Sequence, residues 1–167
     1  TNMNANEVIA NVALEILGKE KGDYDTISPL DHVNMSQSTN DTYPTALLVG
    51  FLKEYDTLLE AVKSLSKAFY AKGREFSGVI KMGRTQLQDA VPMTLGQEFC
   101  AFGDTLLLDI DRLNEMSELF LEINLGATAI GTGVNSHPDY PKLAVEALAE
   151  LSGLPLVVDP HTIEATS

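Results

Sequence analysis

The chain has 167 residues, and its apolar fraction of 44% is enough to build the core of one domain. Its formal net charge is -13, a field that repels nucleic acid and anionic membrane surfaces and so excludes both as expected partners. The sequence also lacks an apolar run of the length that spans a bilayer.

The first two predicted helices are defined by the spacing of their apolar residues. The first runs from about Asn6 to Leu17, and Gly18 is placed to end it. The second begins near Pro44 and ends before Gly78, and its apolar residues occupy a and d positions over about three heptads, which is typical of coiled-coil-like packing. These positions are Leu48, Tyr55, Val62 and Phe69, with Phe51, Leu58 and Leu65 interleaved.

Two more helices follow in the second half of the chain. A third is predicted from near Met93 to about Asn124, and a fourth from about Pro141 to Leu151, closed by Gly153. The apolar segment 154–158 after it favours an extended conformation, but one such segment does not make a sheet.

The length of these helices predicts the architecture. A helix of about 30 residues is about 45 Å long, more than a compact globule of this size accommodates. We therefore expect an all-α fold, an elongated bundle of long antiparallel helices forming one domain over residues 1–167. The apolar faces are wider than one chain can cover, which predicts self-association. The chain lacks an initiating methionine and stops without an end signal, so we expect a fragment truncated at both ends.

The single cysteine, Cys100, lies in the apolar pattern of the third helix. No histidine neighbours it in the sequence, so a buried structural thiol is favoured over a nucleophile. One cysteine allows no disulfide within the chain, which is typical of a cytoplasmic protein.

The polar segment Asp31–Thr42 precedes the heptad helix. Ser38, Thr39 and Asn40 offer hydroxyl and amide donors, and free backbone N–H groups at a helix start would add to them. Such an arrangement suits a carboxylate. The same residue types are favoured at a plain helix N-cap, so both interpretations stay open.

The second polar segment is Gly83–Pro92, between the second and third helices. It predicts a loop in which Thr85 and Gln86 hydrogen-bond a small polar ligand and Pro92 starts the next helix. Arg84 has two interpretations, a partner for a ligand carboxylate or an ion pair with Asp89 or Glu98. Gln97 and Glu98 are expected to brace the loop.

The remaining candidates favour structural roles. Gly126–Gly133 lacks the lysine and the preceding strand of a phosphate loop and predicts a tight turn between helices. His32, His137 and His161 have no ligand spacing, so a metal site is not expected. A structural hydrogen bond is the expected role of His32, and no triad of serine, histidine and aspartate is recognisable.

Four segments together resemble the aspartase/fumarase superfamily over the whole chain. They are residues 2–7, residues 36–41, Gly83–Pro92 with residues 96–98, and residues 126–133. The resemblance implies a lyase that removes a proton from the carbon beside a carboxylate and then expels the group on the next carbon. For an aspartase this means the conversion of L-aspartate to fumarate and ammonia, with no metal or organic cofactor.

The resemblance also implies which residues bind substrate. Ser38 and Thr39 match the family's carboxylate-binding hydroxyls, while Asn40, Thr85 and Gln86 match positions around the amino group and the rest of the substrate. Fumarases and some aspartases resemble this pattern but carry histidine where this chain has Gln86, whereas other aspartases have glutamine there. Glutamine cannot shuttle a proton near neutral pH, so the aspartase branch is favoured.

Two further implications concern what the chain lacks by itself. The family's catalytic base is a serine on a glycine-rich loop, which is expected beyond Ser167, so no catalytic residue is assigned here and the isolated chain is expected to be inactive. Family members are homotetramers whose sites combine segments from different subunits. The alternatives are a fumarate hydratase-type lyase acting on malate and, for the isolated chain, a helical oligomerisation module.

Overall fold

The computed structural model describes all residues from Thr1 to Ser167, and the chain divides into two compact units. The first comprises residues Thr1–Leu52 and Phe120–Ser167, and the second comprises residues Lys53–Leu119. The elements in chain order are α1 (Asn2–Ile16), a π-helical turn (Pro29–Val33), α2 (Thr39–Glu75), β1 (Ile80–Thr85), β2 (Gln88–Thr94), α3 (Leu95–Leu119), β3 (Glu122–Ile123), α4 (Tyr140–Ser152) and β4 (Val157–Val158).

Most residues are helical, so the expected all-α fold class is confirmed, and the strands are short additions to it. Helix α2 passes from the first unit into the second without a break. The single domain over residues 1–167 stays a prediction. None of the helices combines the length and the apolar character that a membrane span requires.

Helix α1 begins at Asn2, earlier than the predicted start near Asn6. The polar residues of its first turns are helical because they find partners in the fold. The Asn6 side chain is buried and donates from Nδ2 to Asn34 Oδ1 at 2.8 Å. The predicted end is confirmed, since Gly18 follows the helix at φ +70°.

Helix α2 begins at Thr39 rather than near Pro44, which lies inside it. A proline has no N–H, so it cannot bond to the carbonyl four residues earlier, that of Asn40. That carbonyl instead accepts a hydrogen bond from Asn124 Nδ2 at 3.1 Å. The Asn124 side chain, from another part of the first unit, therefore supplies the hydrogen bond that the proline cannot donate.

The core of the first unit forms around Ile123, Val145 and Leu156, all buried. Strands β3 and β4 pair in parallel, with Ile123 opposite Val158. The extended segment 154–158 therefore has the partner strand that the sequence did not indicate. The prediction of α4 is confirmed, and Gly153 ends it in the left-handed conformation at φ +74°.

In the second unit, α3 packs antiparallel to the later part of α2. Tyr55 Oη donates to Asn114 Oδ1 at 2.7 Å, and further along α2 Ser66 Oγ donates to the Gly103 carbonyl at 3.2 Å. Phe69 extends the contact to α3 through Phe102, with ring centroids 5.5 Å apart. The predicted antiparallel packing of long helices is confirmed within this unit.

Close approach of the two helices depends on small residues. A Cβ at Gly96 would lie 2.4 Å from the Gly73 carbonyl oxygen, and a Cβ at Gly73 would lie 2.5 Å from Cys100 Sγ. The cysteine thus contacts the facing helix, but it is half-buried rather than buried as predicted. The predicted heptad seam is also incompletely covered within the chain, because Leu58 and Leu65 stay 43% and 49% exposed.

Candidate functional site

Ser38 is the N-cap of helix α2. Its Oγ accepts a hydrogen bond from the Asn40 N–H at 3.2 Å, and its own N–H donates to Asp41 Oδ1 at 2.9 Å. This reciprocal pair has the geometry of a capping box. The capping interpretation of the Ser38 side chain is therefore confirmed.

Three backbone N–H groups of the helix start are already in use. The N–H groups of Asp41 and Thr42 donate to the Ser38 carbonyl at 3.3 Å and 3.0 Å, and that of Asn40 donates to Ser38 Oγ. The expectation that free N–H groups here assist an anion is wrong for these three residues. The N–H of Thr39 has no hydrogen-bond partner within the chain, so it can add to the donors that the side chains offer.

The hydroxyl groups of Ser38 and Thr39 both keep a proton to donate. Ser38 Oγ accepts from the Asn40 N–H, and Thr39 Oγ1 accepts from Asn2 Nδ2 at 3.3 Å. Neither hydroxyl donates a hydrogen bond within the chain. Since a hydroxyl accepts and donates at once, each has its O–H left for a ligand.

Asn40 presents an acceptor instead. Its Nδ2 donates to the Ala129 carbonyl at 2.7 Å. A carbonyl oxygen only accepts, so this contact fixes which end of the amide is the nitrogen. Asn40 Oδ1 has no donor within the chain and remains to accept one from a ligand. Ser38, Thr39 and Asn40, adjacent in sequence, thus combine two O–H donors with one acceptor.

Asp41 is the residue of this site that sequence reasoning missed. Its side chain is 0% exposed, and its Oδ2 accepts from the N–H groups of Gly126 and Thr128 at 3.2 Å and 2.9 Å. The spacing of Ser38 and Asp41 is a capping-box signal that could have identified the first contact. No local pattern indicates the second, because those partners lie at least 85 residues away.

Tyr140 lies beside this buried carboxylate. Burial raises the pKa of its phenol above the ordinary 10.0, the hydrogen bond with Gln37 opposes that rise, and the charge of Asp41 adds to it. The folded chain therefore holds this proton more tightly than the unfolded chain does. The stabilisation is present below the unfolded pKa and is lost as pH rises through the folded pKa.

We expect the free energy of unfolding to fall less with alkaline pH in Tyr140→Phe than in the wild type. Urea unfolding at about pH 8 and about pH 11 measures this difference, because the window lies above the ordinary pKa of tyrosine. Tyr43→Phe, which removes an exposed phenol from the same unit, is the control. If Tyr140→Phe lost as much stability as the wild type between these two pH values, the raised pKa of Tyr140 would not explain the loss.

The second predicted segment is a β-hairpin rather than a loop. Strands β1 and β2 pair antiparallel, with Thr85 opposite Gln88, and the turn residues Gln86 and Leu87 have φ of +48° and +63°. Positive φ at both positions matches a type I′ turn, the favoured two-residue hairpin connection. Pro92 lies in β2 opposite Met82 and does not start α3, which begins at Leu95.

The hairpin tip leaves its predicted binding residues open to solvent. Thr85 and Gln86 are both exposed, and neither side chain makes a hydrogen bond within the chain. Arg84 takes the structural alternative, since its Nε lies 3.3 Å from Asp89 Oδ1. Both side chains of that pair are exposed, so it contributes little to stability.

The predicted braces of this segment also find partners. Glu98 pairs with Lys81 at 2.5 Å, and Gln97 Oε1 accepts from the Thr94 N–H at 2.9 Å. Thr94 Oγ1 in turn accepts from the Gln97 N–H at 3.1 Å, which caps the start of α3. The bracing role of Gln97 and Glu98 is confirmed.

The predicted binding residues form two groups. Ser38, Thr39 and Asn40 lie in the first unit, whereas Thr85 and Gln86 lie in the second. Their roles toward a ligand stay predictions. The segment Gly126–Gly133 is a turn, as expected, but it connects β3 to α4 rather than two helices.

Two of the three histidines make local hydrogen bonds with their side chains. His32 Nδ1 accepts from the Ser28 N–H at 2.9 Å, the structural hydrogen bond expected of it. His137 Nδ1 accepts from the Asp139 N–H at 3.2 Å. No three acidic, histidine or cysteine side chains are grouped in a way that could hold a metal ion.

Comparison with known proteins identifies close relatives. A family profile described as Lyase matches residues 1–167. The aspartate ammonia-lyase of Pseudomonas aeruginosa is 63% identical over 168 residues, covering 100% of this chain and 35% of that protein. That of Bacillus subtilis is 54% identical over 165 residues, covering 99% of this chain and 35% of that protein. This chain thus spans about a third of the length of the curated relatives it matches.

Solved structures give the same result for the fold. A fumarate lyase:delta crystallin from Brucella melitensis superimposes with a TM-score of 0.83 at 56% identity, over 99% of this chain and 36% of that chain. A class II fumarase from Schistosoma mansoni gives a TM-score of 0.79 at 30% identity, over 98% of this chain and 38% of that chain.

Proposed function

This chain belongs to the lyase family, and from that premise we propose that it is the central helical part of an aspartate ammonia-lyase. The proposed reaction eliminates ammonia from L-aspartate to give fumarate. The two curated relatives described above, 63% and 54% identical to this chain, are aspartate ammonia-lyases, which supports this substrate. The chain spans about a third of their length, so the activity belongs to a longer protein.

The observation that carries the proposal is the set of unused hydrogen-bonding atoms at the start of α2. The hydroxyls of Ser38 and Thr39 each accept from the protein and keep an O–H to donate. Asn40 Oδ1 is left as an acceptor, because Nδ2 is held by Ala129. Two donors fit a carboxylate and one acceptor fits an ammonium group, the two groups that an amino acid carries.

In the proposed mechanism these atoms act on the charge that develops during elimination. Removal of the proton beside a carboxylate places a second negative charge on that carboxylate. The O–H groups of Ser38 and Thr39 donate to it, and preorganised donors of this kind stabilise a transition state more than a ground state. The C–N bond then breaks, its electron pair leaves with ammonia, and the new double bond gives fumarate. The base is not assigned to a residue of this chain.

The hairpin tip is proposed to form a second wall of the site. Thr85 and Gln86 are exposed and have no hydrogen-bond partner within the chain, so their polar atoms are available to substrate. A glutamine amide stays neutral across the physiological pH range and contacts the substrate without transferring a proton. This chemistry supports an aspartase over a fumarate hydratase-type enzyme that acts on malate.

Self-association into a homotetramer is the arrangement we propose for bringing the two walls together. Apolar side chains on the long helices of the second unit support it, because they remain exposed in the single chain. They are Leu58, Leu65, Phe102, Leu107 and Leu108, between 43% and 56% exposed. Large apolar side chains that stay exposed in the single chain are the kind of surface that an interaction site presents. The cytoplasmic location expected from the sequence stays a prediction.

An assay of the full-length protein tests the proposed function. We expect fumarate to form from L-aspartate, followed by its ultraviolet absorbance, with little turnover of L-malate. Turnover of malate without turnover of aspartate would reject the aspartase assignment in favour of the fumarate hydratase-type alternative.

The same exposed apolar residues favour a second candidate, a helical assembly module without activity of its own. Light scattering of the 167-residue chain, combined with calorimetric titration of L-aspartate or fumarate, separates the two. Oligomers that bind neither compound would favour the assembly role for this chain.

A further inference from the structure

Asp41 is a buried carboxylate whose partners are all backbone N–H groups. Its side chain is 0% exposed, and no basic side chain pairs with it. Burial of a charge is costly unless hydrogen bonds compensate for it. Here Oδ1 accepts from Ser38 at 2.9 Å, and Oδ2 accepts from Gly126 at 3.2 Å and Thr128 at 2.9 Å.

These contacts fasten the connection after β3 to the start of α2. Gly126 and Thr128 have φ of +91° and +63°, so the chain reverses direction sharply between them. A left-handed conformation is unfavourable for threonine, and an external contact is needed to hold it. The hydrogen bond from the Thr128 N–H to Asp41 is that contact.

The residue after Thr128 provides the link to the proposed binding atoms. The Ala129 carbonyl accepts from Asn40 Nδ2 at 2.7 Å, and this contact leaves Asn40 Oδ1 without a hydrogen-bond donor in the chain. The position of that carbonyl depends on the turn before it. Asp41 holds the turn, the turn holds the carbonyl, and the carbonyl orients the amide of Asn40.

We propose that Asp41 is a positioning residue that acts through the Gly126–Ala129 turn to orient the Asn40 amide toward the amino group of the substrate. The proposal rests on the proposed function, in which Asn40 Oδ1 accepts from that group. Asp41 itself does not touch substrate. A residue that only caps the helix would affect stability without acting through Asn40.

Two substitutions at this position separate the capping role from the positioning role. In Asp41→Asn, an amide oxygen facing the turn keeps the two hydrogen bonds from Gly126 and Thr128, while Nδ2 faces the Ser38 N–H as one donor against another. This orientation is preferred, because the reverse one would set the amide nitrogen against two N–H groups instead of one. Asp41→Ala loses all three. We therefore expect Asp41→Asn to keep the turn in place and Asp41→Ala to release it.

The experiment measures kcat/KM for L-aspartate in the full-length protein, with each substitution made alone and together with Asn40→Ala. Asp41→Ala is expected to be about tenfold to a hundredfold slower than Asp41→Asn, because small misplacements of positioning groups have effects of this size. In the Asn40→Ala background the two variants should differ by less than about twofold, since coupled residues are not additive. Circular dichroism establishes that each variant is folded.

Several outcomes would overturn the proposal. Equal kcat/KM for the two variants, or the same difference with and without Asn40, would assign Asp41 to capping alone. Where Asp41→Ala does not fold, Asp41→Ser replaces it, because its side chain is too short to reach the turn. Failure of both to fold would assign the residue to folding and equally reject the positioning role.

The controls keep this result separate from the proposed function. Thr45→Val removes a buried hydroxyl of the same unit that has no hydrogen-bond partner, and it should leave kcat/KM unchanged. A wild type that turns over malate and not aspartate would reject the proposed function. The same comparison of Asp41 variants, with and without Asn40→Ala, could then be made with malate as substrate. It would still decide the role of Asp41, since the malate hydroxyl can also donate to Asn40 Oδ1.

Discussion

Thr39→Ala is expected to lower kcat for L-aspartate by about a hundredfold to a thousandfold, the usual effect of removing one preorganised donor to a developing anion. The Thr39 O–H donates no hydrogen bond within the chain, and in the proposed mechanism its loss removes stabilisation only where substrate charge develops. Stability should change little, because the residue is exposed and its Oγ1 accepts only one hydrogen bond, at 3.3 Å, from Asn2. Steady-state kinetics and thermal unfolding of the full-length protein measure the two effects.

Two matched variants sharpen this prediction. Thr39→Ser keeps the hydroxyl and should restore most of the activity. Thr26→Ala removes a threonine hydroxyl of the same unit that bonds only to Asp23 Oδ2 at 2.9 Å, and it should leave the kinetics unchanged. Unchanged kinetics in Thr39→Ala would reject the assignment of this segment, as would equal losses in Thr39→Ala and Thr39→Ser.

Gly131→Ala is expected to cost about 3 kcal/mol of unfolding free energy, since a methyl group has no space at this position. Its Cβ would lie 2.3 Å from Ile163 Cα and 2.5 Å from the Thr162 carbonyl oxygen, which are backbone atoms that no side-chain rotation can move. The Gly131 carbonyl also accepts from Thr162 Oγ1 at 2.8 Å. If the new methyl group pushes residues 162–163 away, that hydrogen bond is lost as well.

Gly133→Ala is the matched control in the same turn. Gly133 also has positive φ, at +65°, but the nearest atom to its added Cβ is the Gly126 carbonyl oxygen at 3.6 Å. Its substitution should cost only the left-handed strain, about 1 kcal/mol. Urea unfolding of both variants measures the difference. Equal losses would show that steric contact with residues 162–163 does not decide the role of Gly131.

The helices could be predicted from the sequence wherever the signal was local. Helix α4 and its end at Gly153 follow from apolar spacing and from the need for a left-handed residue after the last turn. The start of α2 was missed because Pro44 suggested a first turn, whereas a side chain remote in sequence satisfies the carbonyl that the proline leaves unpaired. A local rule failed there because a tertiary contact replaced the missing bond.

The hairpin was missed for a different reason. A type I′ turn is usually signalled by asparagine or glycine, and here Gln86 and Leu87 occupy it with positive φ. Pro92 also argued against a strand, but a hairpin of two strands has only edges, where a missing N–H is tolerated. The residue types Gln86 and Leu87 give no sign that both adopt positive φ.

The proposed binding residues were accessible to sequence reasoning because hydroxyl and amide types cluster between helices. Their availability for a ligand was not, since it depends on which atoms the protein already uses. Asn2 and Ala129 determine which atoms of Thr39 and Asn40 stay open, and they lie 37 and 89 residues away from those partners. Pairings of that range follow from the fold alone.

The separation between Asp41 and its turn also sets an order of events during synthesis on the ribosome. The N–H groups that Asp41 accepts lie 85 and 87 residues later in the chain, and the carbonyl that orients Asn40 lies 89 residues later. The start of α2 therefore leaves the ribosome with a carboxylate that has, apart from Ser38, only water as a partner. Chains fold progressively from the N-terminus as they are made, and long-range contacts close late. A nascent chain that stops before residue 126 has the proposed binding side chains but lacks the backbone partners of Asp41 and Asn40.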